Sequence, residues 1–430
     1  MESLSAANTQ FSLNLFKKIS GGNASGNVFY SPLSISSALA MVALGTAGNT
    51  QAQILKVLGI LNPVKPDTTT PAPGPSMQQQ AQKPQLPADV KMQGCVPMKP
   101  PIQPQQSPEH KTEDNAHSAF NKLMSELNKP GVPYMLSLVN RLYGEQSYQF
   151  VEKFLSDTKK YYQAGLEKVD FKKNASAARV NVNNWVEKST QGKIKNLLPE
   201  GSVDGMTKMV LVNAIYFKGN WMLQFKKDST KQLPFKLTKA LTKPAQMMHQ
   251  TDRFPLAIIP EVNCNVLELP YVGKSLSMLI ILPNQIEDNT TGLQKLEGAI
   301  TYEKLMDWTK PERMSEQKVE IALPKFKMEE TYDMMSLLVS MGMVDAFDAQ
   351  KANFSGMSPN NDLVLSKVIH KSFVEVNEEG TEAAAATAVV VATLSLPQPP
   401  PTFIADHPFL FFIRHNPTKS ILFYGRFCSP

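Results

Sequence analysis

The chain has 430 residues, 42% of them hydrophobic, which is enough apolar material for one large buried core. Its 44 basic and 38 acidic residues leave a formal net charge of +6, and no basic run exceeds two residues, so neither a nucleic-acid partner nor a heparin surface is expected. Three cysteines, Cys95, Cys264 and Cys428, are odd in number and lack metal-ligand spacing, which argues against a disulfide framework and a metal site, and for reduced thiols in a cytosolic protein.

The first segment carries Phe11, Leu13, Leu15, Phe16 and Ile19 at helical spacing with Lys17-Lys18 inside the pattern. It reads as a permanent amphipathic helix rather than a signal peptide. Residues 1–60 as a whole read as helices. Ser31-Pro32 or Ser34 opens one, and Asn49-Thr50 caps another ahead of Ala52, Ile54, Leu55 and Leu58, with Gly59 ending it. Residues 63–108 then hold twelve prolines, nine glutamines and no aromatic residue. Such a stretch cannot donate a regular hydrogen-bond ladder or bury much surface, so a disordered insertion over 63–110 between two early helices is expected. Its composition favours a tolerated spacer over a glutamine-donor or Pro-rich partner site, and long insertions cost little closure entropy. Cys95 within it is the thiol expected to be most open to oxidation.

Beyond it, Phe120, Leu123, Met124 and Leu127 form a helical face, and residues 134–140 alternate like a strand. Residues 193–198 read as a helix passing into a sheet over 206–221, with residues 209–212 a buried strand. Residues 266–269 and 276–282 read as a paired hairpin, 319–325 as a strand, 331–341 as a helix and 368–376 as a strand. No apolar run reaches the roughly 20 residues that span a bilayer, so no membrane partner is expected. None of the six histidines stands in an HExxH frame, and neither a GxSxG elbow nor a phosphate-cradling glycine loop occurs. An enzyme is therefore not expected, and no catalytic residue or cofactor is assigned.

The most informative stretch runs from Asn377-Glu378-Glu379-Gly380-Thr381 through Ala383-Ala384-Ala385-Ala386-Thr387 to Val389-Val390-Val391. As a helix it is opposed by Gly380 and by the β-branched valines. As a strand it places Thr381, Ala383, Ala385, Thr387, Val389 and Val391 on one face, all small or β-branched, with Glu382 on the other. It can be exposed as a loop and later buried as a strand.

That segment, with Asn213-Ala-Ile-Tyr-Phe-Lys-Gly-Asn-Trp221 and with His407-Pro-Phe-Leu-Phe-Phe-Ile-Arg-His415 running to Gly425-Arg-Phe427, resembles the serpin family, in its intracellular ovalbumin-type branch. The resemblance covers nearly the whole chain. It implies one α+β domain over residues 1–430, with helices around three β-sheets and a hinge and exposed reactive centre loop over 377–402. It also implies a monomeric, cytoplasmic inhibitor, with release from the cell without a signal peptide as a second destination.

The implied activity is suicide inhibition. Leu394-Ser395, placed by family spacing from Glu378, is offered to a serine protease as substrate, and the covalent acyl-enzyme is trapped when residues 381–394 insert as a strand. Serpin loop insertion is itself a known case of strand addition, so this mechanism is carried by the resemblance. An apolar Leu394 suits chymotrypsin-like or cathepsin G-like pockets first and elastase-like pockets second, with Thr393 or Leu396 as alternative frames. The hinge residues are Glu378, Gly380, Thr381, Ala383, Ala385 and Thr387. Sheet opening is assigned to His370, Asn140 and Ser31 or Ser34 as a polar latch, to Trp221 at the top of the sheet, and to a Lys325–Glu378 ion pair at the hinge base. Pro397, Pro399, Pro400 and Pro401 stiffen the leaving side. The alternative is a non-inhibitory serpin acting as chaperone, storage or binding protein. Bulky, charged or proline residues between Thr381 and Val391 would favour it, and the only such residue there is Glu382, on the face away from the one to be buried.

Overall fold

The computed structural model describes residues 1–60, 108–360, 362–381 and 399–430. Leu394, Ser395, Ala383, Ala385, Thr387 and Cys95 lie outside the described residues, as does the expected insertion up to residue 107.

In chain order the first elements are α1 (Glu2–Gly22), β1 (Val28–Tyr30), α2 (Pro32–Ala43), α3 (Gly48–Val57), α4 (Pro108–Leu127), β2 (Tyr134–Glu145), α5 (Glu152–Tyr162), β3 (Gly165–Val169), α6 (Phe171–Ser189) and β4 (Met209–Asn220). There follow β5 (Lys231–Lys236), β6 (Thr242–Ile259), β7 (Cys264–Pro270), β8 (Leu276–Pro283), α7 (Gln294–Ala299), α8 (Tyr302–Trp308), β9 (Ser315–Pro324) and β10 (Phe326–Asp333). The remainder are α9 (Met335–Ser340), β11 (Lys367–Val376), β12 (Gly380–Thr381), β13 (Thr402–Ile404), β14 (Phe409–His415) and β15 (Ser420–Phe427).

Two sheets result. A central six-stranded sheet has the order β10-β11-β12-β4-β2-β3, and a nine-stranded sheet runs β1-β15-β14-β8-β7-β6-β9-β13 with β5 attached to β6. Of the three sheets the resemblance implies, two thus form one hydrogen-bonded network. The 18-residue β6 bonds to β5 along its first part and to β7 along its last, and to β9 between them, so pairing passes through it without a break.

β4 is buried on both faces, as its apolar run requires. Met209, Leu211, Ile215 and Phe217 join the main core, whereas the alternate Val210, Val212, Ala214 and Tyr216 join a second cluster with Val182 and Val186 of α6 and with Ile194, Leu197 and Leu198 beyond it. Helix α6 therefore lies across the front of the central sheet. Position 213 takes the face of Leu211 and Ile215 by period-2 alternation, toward α2.

Several local expectations are corrected. Residues 1–60 are not all helical, because Val28, Phe29 and Tyr30 pair with Arg426, Gly425 and Tyr424 as β1. Helix α3 starts at Gly48, ahead of the expected Asn49-Thr50 cap, and the buried Thr50 hydroxyl instead accepts Asn353 N–H at 3.0 Å. Residues 193–198 form bends and irregular chain rather than a helix, since Gln191, Gly192 and Asn196 take positive φ, although Ile194, Leu197 and Leu198 are buried at helix-like spacing. Thr331 to Asp333 extend β10 opposite Lys371 to Ile369, leaving only Met335–Ser340 as helix. Helix α4 begins at Pro108, so the last three residues of the expected 63–110 insertion are helical.

Candidate functional site

The central sheet is forked. β11 and β4 run parallel and pair from Lys367↔Val210 to Phe373↔Tyr216. Above that point they part, and β12 stands between them, with Thr381 opposite both Val376 and Gly219 and Gly380 opposite Asn220. Gly380 and Thr381 are therefore hydrogen-bonded within the sheet, between β11 and β4. An Asn377 turn aims it there: Asn377 Oδ1 accepts the N–H groups of Glu379 and Gly380 at 3.0 and 3.1 Å, and Asn377 N–H donates to Gly380 O at 2.9 Å. Gly380 has φ +147°. A Cβ built on it would sit 2.6 Å from Asn220 Cα, 2.9 Å from Trp221 N and closer still to Gly219 O, all backbone atoms. Glycine is required here by approach as well as by dihedral.

The segment after β4 clasps the hinge. Trp221 N–H and Phe225 N–H donate to Glu379 O and Glu378 O at 2.9 and 2.8 Å, and the Trp221 indole donates to Asn377 O at 3.0 Å. The indole stacks on Tyr271 with ring centroids 4.6 Å apart. Glu378 is buried and meets Lys325 Nζ at 3.0 Å and Thr230 Oγ1 at 2.7 Å. Burial raises its carboxyl pKa, but the hydrogen bonds from Thr230, its own backbone and Lys325 outweigh that and hold it below the usual carboxylate range. Because the Lys325 side chain is 40% exposed, its pair is worth only about 0–1 kcal/mol. Lys227 adds a second pair to Glu379 at 2.8 Å.

Three residues below the fork, the parting strands are joined by a buried polar row. His370 of β11 lies opposite Asn213 of β4, which lies opposite Asn140 of β2. Ser31 N–H donates to His370 Nε2 at 3.1 Å, so Nε2 carries the lone pair and Nδ1 donates its proton to Asn213 Oδ1. Asn213 Nδ2 in turn faces Asn140 Oδ1 and Ser34 Oγ, and Asn140 Nδ2 donates to Ser37 Oγ at 3.0 Å. Ser31 doubles as N-cap of α2, its Oγ accepting Ser34 N–H at 3.1 Å. A strand entering between β11 and β4 must break the His370–Asn213 bond.

Burial lowers the His370 pKa from 6.5 to about 3, because an imidazolium there would be desolvated and would point a second N–H at the Ser31 N–H. Below pH 6.5 the unfolded chain therefore takes up a proton that the folded chain refuses until about pH 3. His370 accordingly supports the fold fully above pH 6.5 and progressively less as pH falls. Between pH 6.5 and 5 the wild type is expected to lose about 1.5 kcal/mol more than His370→Gln, read from denaturant midpoints. Equal losses would show that the ring titrates normally in the fold.

Sequence reasoning named His370, Asn140, Ser31, Ser34, Trp221, Lys325 and Glu378, and all stand at the fork or the row beneath it. It missed Asn213, the hub of the row, and also Ser37, Thr230, Lys227 and Glu379. Asn213 had a signal, a lone amide inside the apolar run 209–217; the others had none. Among the described residues no group of His, Cys, Asp and Glu is arranged to hold a metal ion, and no helix is long and apolar enough to cross a membrane. Cys264 and Cys428 are buried thiols, each pushed up to about 12 by burial.

Comparison with known proteins gives the same frame. The family description Serpin (serine protease inhibitor) matches residues 6–430. The chain is 48% identical over 430 residues to the leukocyte elastase inhibitor of Equus caballus and 47% identical to that of Homo sapiens, covering 100% of both chains in each case. The structure of uncleaved ovalbumin superposes with a TM-score of 0.80 at 35% identity, again covering 100% of each chain.

Proposed function

The chain belongs to the serpin family, and on that premise we propose that it inhibits a serine protease by letting its loop be cut and trapping the acyl-enzyme through strand insertion. The observation that carries this reading is the fork, in which Gly380 and Thr381 are already bonded between β11 and β4. Once the loop is cut, the hinge side is free to continue zipping downward, and each further residue gains backbone hydrogen bonds on both sides. Ala383, Ala385 and Thr387 are the small side chains this entry needs, and Leu394-Ser395 is the bond offered.

The protease would be chymotrypsin-like, cathepsin G-like or elastase-like. The relatives named as inhibitors of leukocyte elastase support the elastase-like class. The chain would act as a monomer in the cytoplasm, as an inhibitor rather than an enzyme. A non-inhibitory role is not favoured, since the full-length relatives at 48% and 47% identity are named as inhibitors.

Incubation with chymotrypsin, cathepsin G, elastase and trypsin, followed by denaturing electrophoresis, is expected to give an SDS-stable band at the summed mass with at least one of the first three. Complete cleavage by all of them without such a band would sink the trapping mechanism.

A further inference from the structure

The turn that anchors the hinge carries a feature the inhibitory cycle does not use. Ser229 ends a single 3₁₀ turn, Lys227–Ser229, which starts within the pair Lys226-Lys227. Lys226, Lys227 and Asp228 are exposed before it, and residues 231–234 are exposed after Thr230. Those later residues lie on β5, which pairs with β6 and no other strand among the described residues. The segment can therefore be drawn into the groove of another protein without opening the core. Two adjacent cations, then Asp228 and the half-buried hydroxyl of Ser229, at the start of this edge suit the acidic substrate groove of a basophilic protein kinase.

The neighbouring side chains hold the hinge. Thr230, the next residue, donates to Glu378 at 2.7 Å, and Lys227, two residues back, pairs with Glu379 at 2.8 Å. Beside them is a cleft of about 320 Å³ lined by Lys227, Lys325, Lys327, Glu375, Glu378 and Glu379, so cations and carboxylates there are closely balanced.

We propose that Ser229 is a phosphorylation site whose modification releases the hinge from its clasp. The Ser229 hydroxyl oxygen attacks the terminal phosphorus of ATP held by the kinase. The new O–P bond forms as the bond to the departing nucleoside diphosphate breaks, and the hydroxyl proton passes to the kinase's base. The product carries a charge of about −1.5 to −2 with three strong acceptor oxygens. It competes with Glu379 for Lys227 and repels both Glu379 and Glu378, loosening the backbone bonds those two residues accept from Trp221 and Phe225. A hinge no longer aligned with the fork starts insertion late, and the inhibitor shifts toward being a substrate. This last step rests on the trapping mechanism proposed above.

The test treats the folded full-length protein and its Ser229→Ala variant with a basophilic kinase and ATP. Phosphopeptide mass spectrometry then locates the phosphate, and amide hydrogen exchange reads Trp221 and Phe225. The expected result is one phosphate on Ser229 that is missing from Ser229→Ala, with exchange of both amides at least about tenfold faster in the phosphorylated wild type. Thr230→Val, which removes the neighbouring hydroxyl without adding charge, should accelerate exchange less. Failure to label Ser229 in the folded protein, labelling at another residue instead, or unchanged exchange after labelling would each overturn the proposal. If labelling speeds exchange while no form of the protein traps a protease, the phosphorylation site and its coupling to the hinge stand and the trapping mechanism fails.

Discussion

Gly380→Ala is expected to turn most of the trapped complex into cleaved, released inhibitor while leaving the rate of loop cleavage unchanged. An alanine at φ +147° is strained, and its Cβ would press on Gly219 O, Asn220 Cα and Trp221 N. Those atoms belong to β4 and its continuation, held by pairing to β2 from Tyr134↔Gly219 downward, so they cannot yield. Relief comes instead from withdrawal of the hinge, which gives up the Gly380↔Asn220 and Thr381↔Gly219 pairs.

Strain of about 1–3 kcal/mol at such a position slows insertion by about 5- to 150-fold if it falls on the insertion step. Deacylation, a property of the protease, is unaffected, so the ratio of released, cleaved inhibitor to trapped complex should rise by a similar factor, and the number of inhibitor molecules consumed per protease inactivated should rise with it. The melting temperature should move little, because only one two-residue strand is lost. Titration of protease against Gly380→Ala, with Glu379→Ala as a neighbouring control, measures this. A wild-type stoichiometry in Gly380→Ala would mean that the inserted pair of residues is not where insertion starts.

Much of this arrangement could be read from the chain, and the omissions share a physical cause. The apolar runs 209–212 and 276–282 were legible as buried strands because strands covered on both faces need no polar alternation. Of the expected hinge, Glu378, Gly380 and Thr381 are placed at the sheet, whereas the small alternate residues that suggested it lie outside the described residues. By contrast, β5 is largely exposed, and pairing with β6 rather than composition makes it a strand. Residues 193–198 show helix-like burial without helical backbone, since Ile194, Leu197 and Leu198 fill the space beside α6. The ties from Thr230 and Lys227 to the hinge cross about 150 residues of sequence, and no local pattern encodes such a contact. Asn213 is a lone amide in an apolar run, and its partners His370, Asn140 and Ser34 come from elements distant in sequence, so its place as hub is not legible locally.

That amide supports the second large prediction. Asn213→Ala removes the partner of the His370 Nδ1–H, of Asn140 Oδ1 and of Ser34 Oγ, all at buried residues. Each group left unpaired costs about 1–3 kcal/mol, so the native form is expected to lose roughly 3 kcal/mol or more. An ordinary core defect would weaken every conformer alike. The latch geometry predicts a difference between conformers, because an inserted strand would separate β11 from β4 and break the His370–Asn213 bond whatever residue stands at 213. The loop-cleaved form of Asn213→Ala should therefore lose much less than the uncleaved form, and the gain in melting temperature on loop cleavage should be larger in the variant than in the wild type. Scanning calorimetry of both proteins before and after limited loop proteolysis gives the four values needed. An equal loss in the two conformers would reduce the His370–Asn213–Asn140 row to ordinary core polarity and leave the sheet without a latch at this level. With a larger loss in the uncleaved form, the row is a bond that holds the fork shut until the arriving strand replaces it.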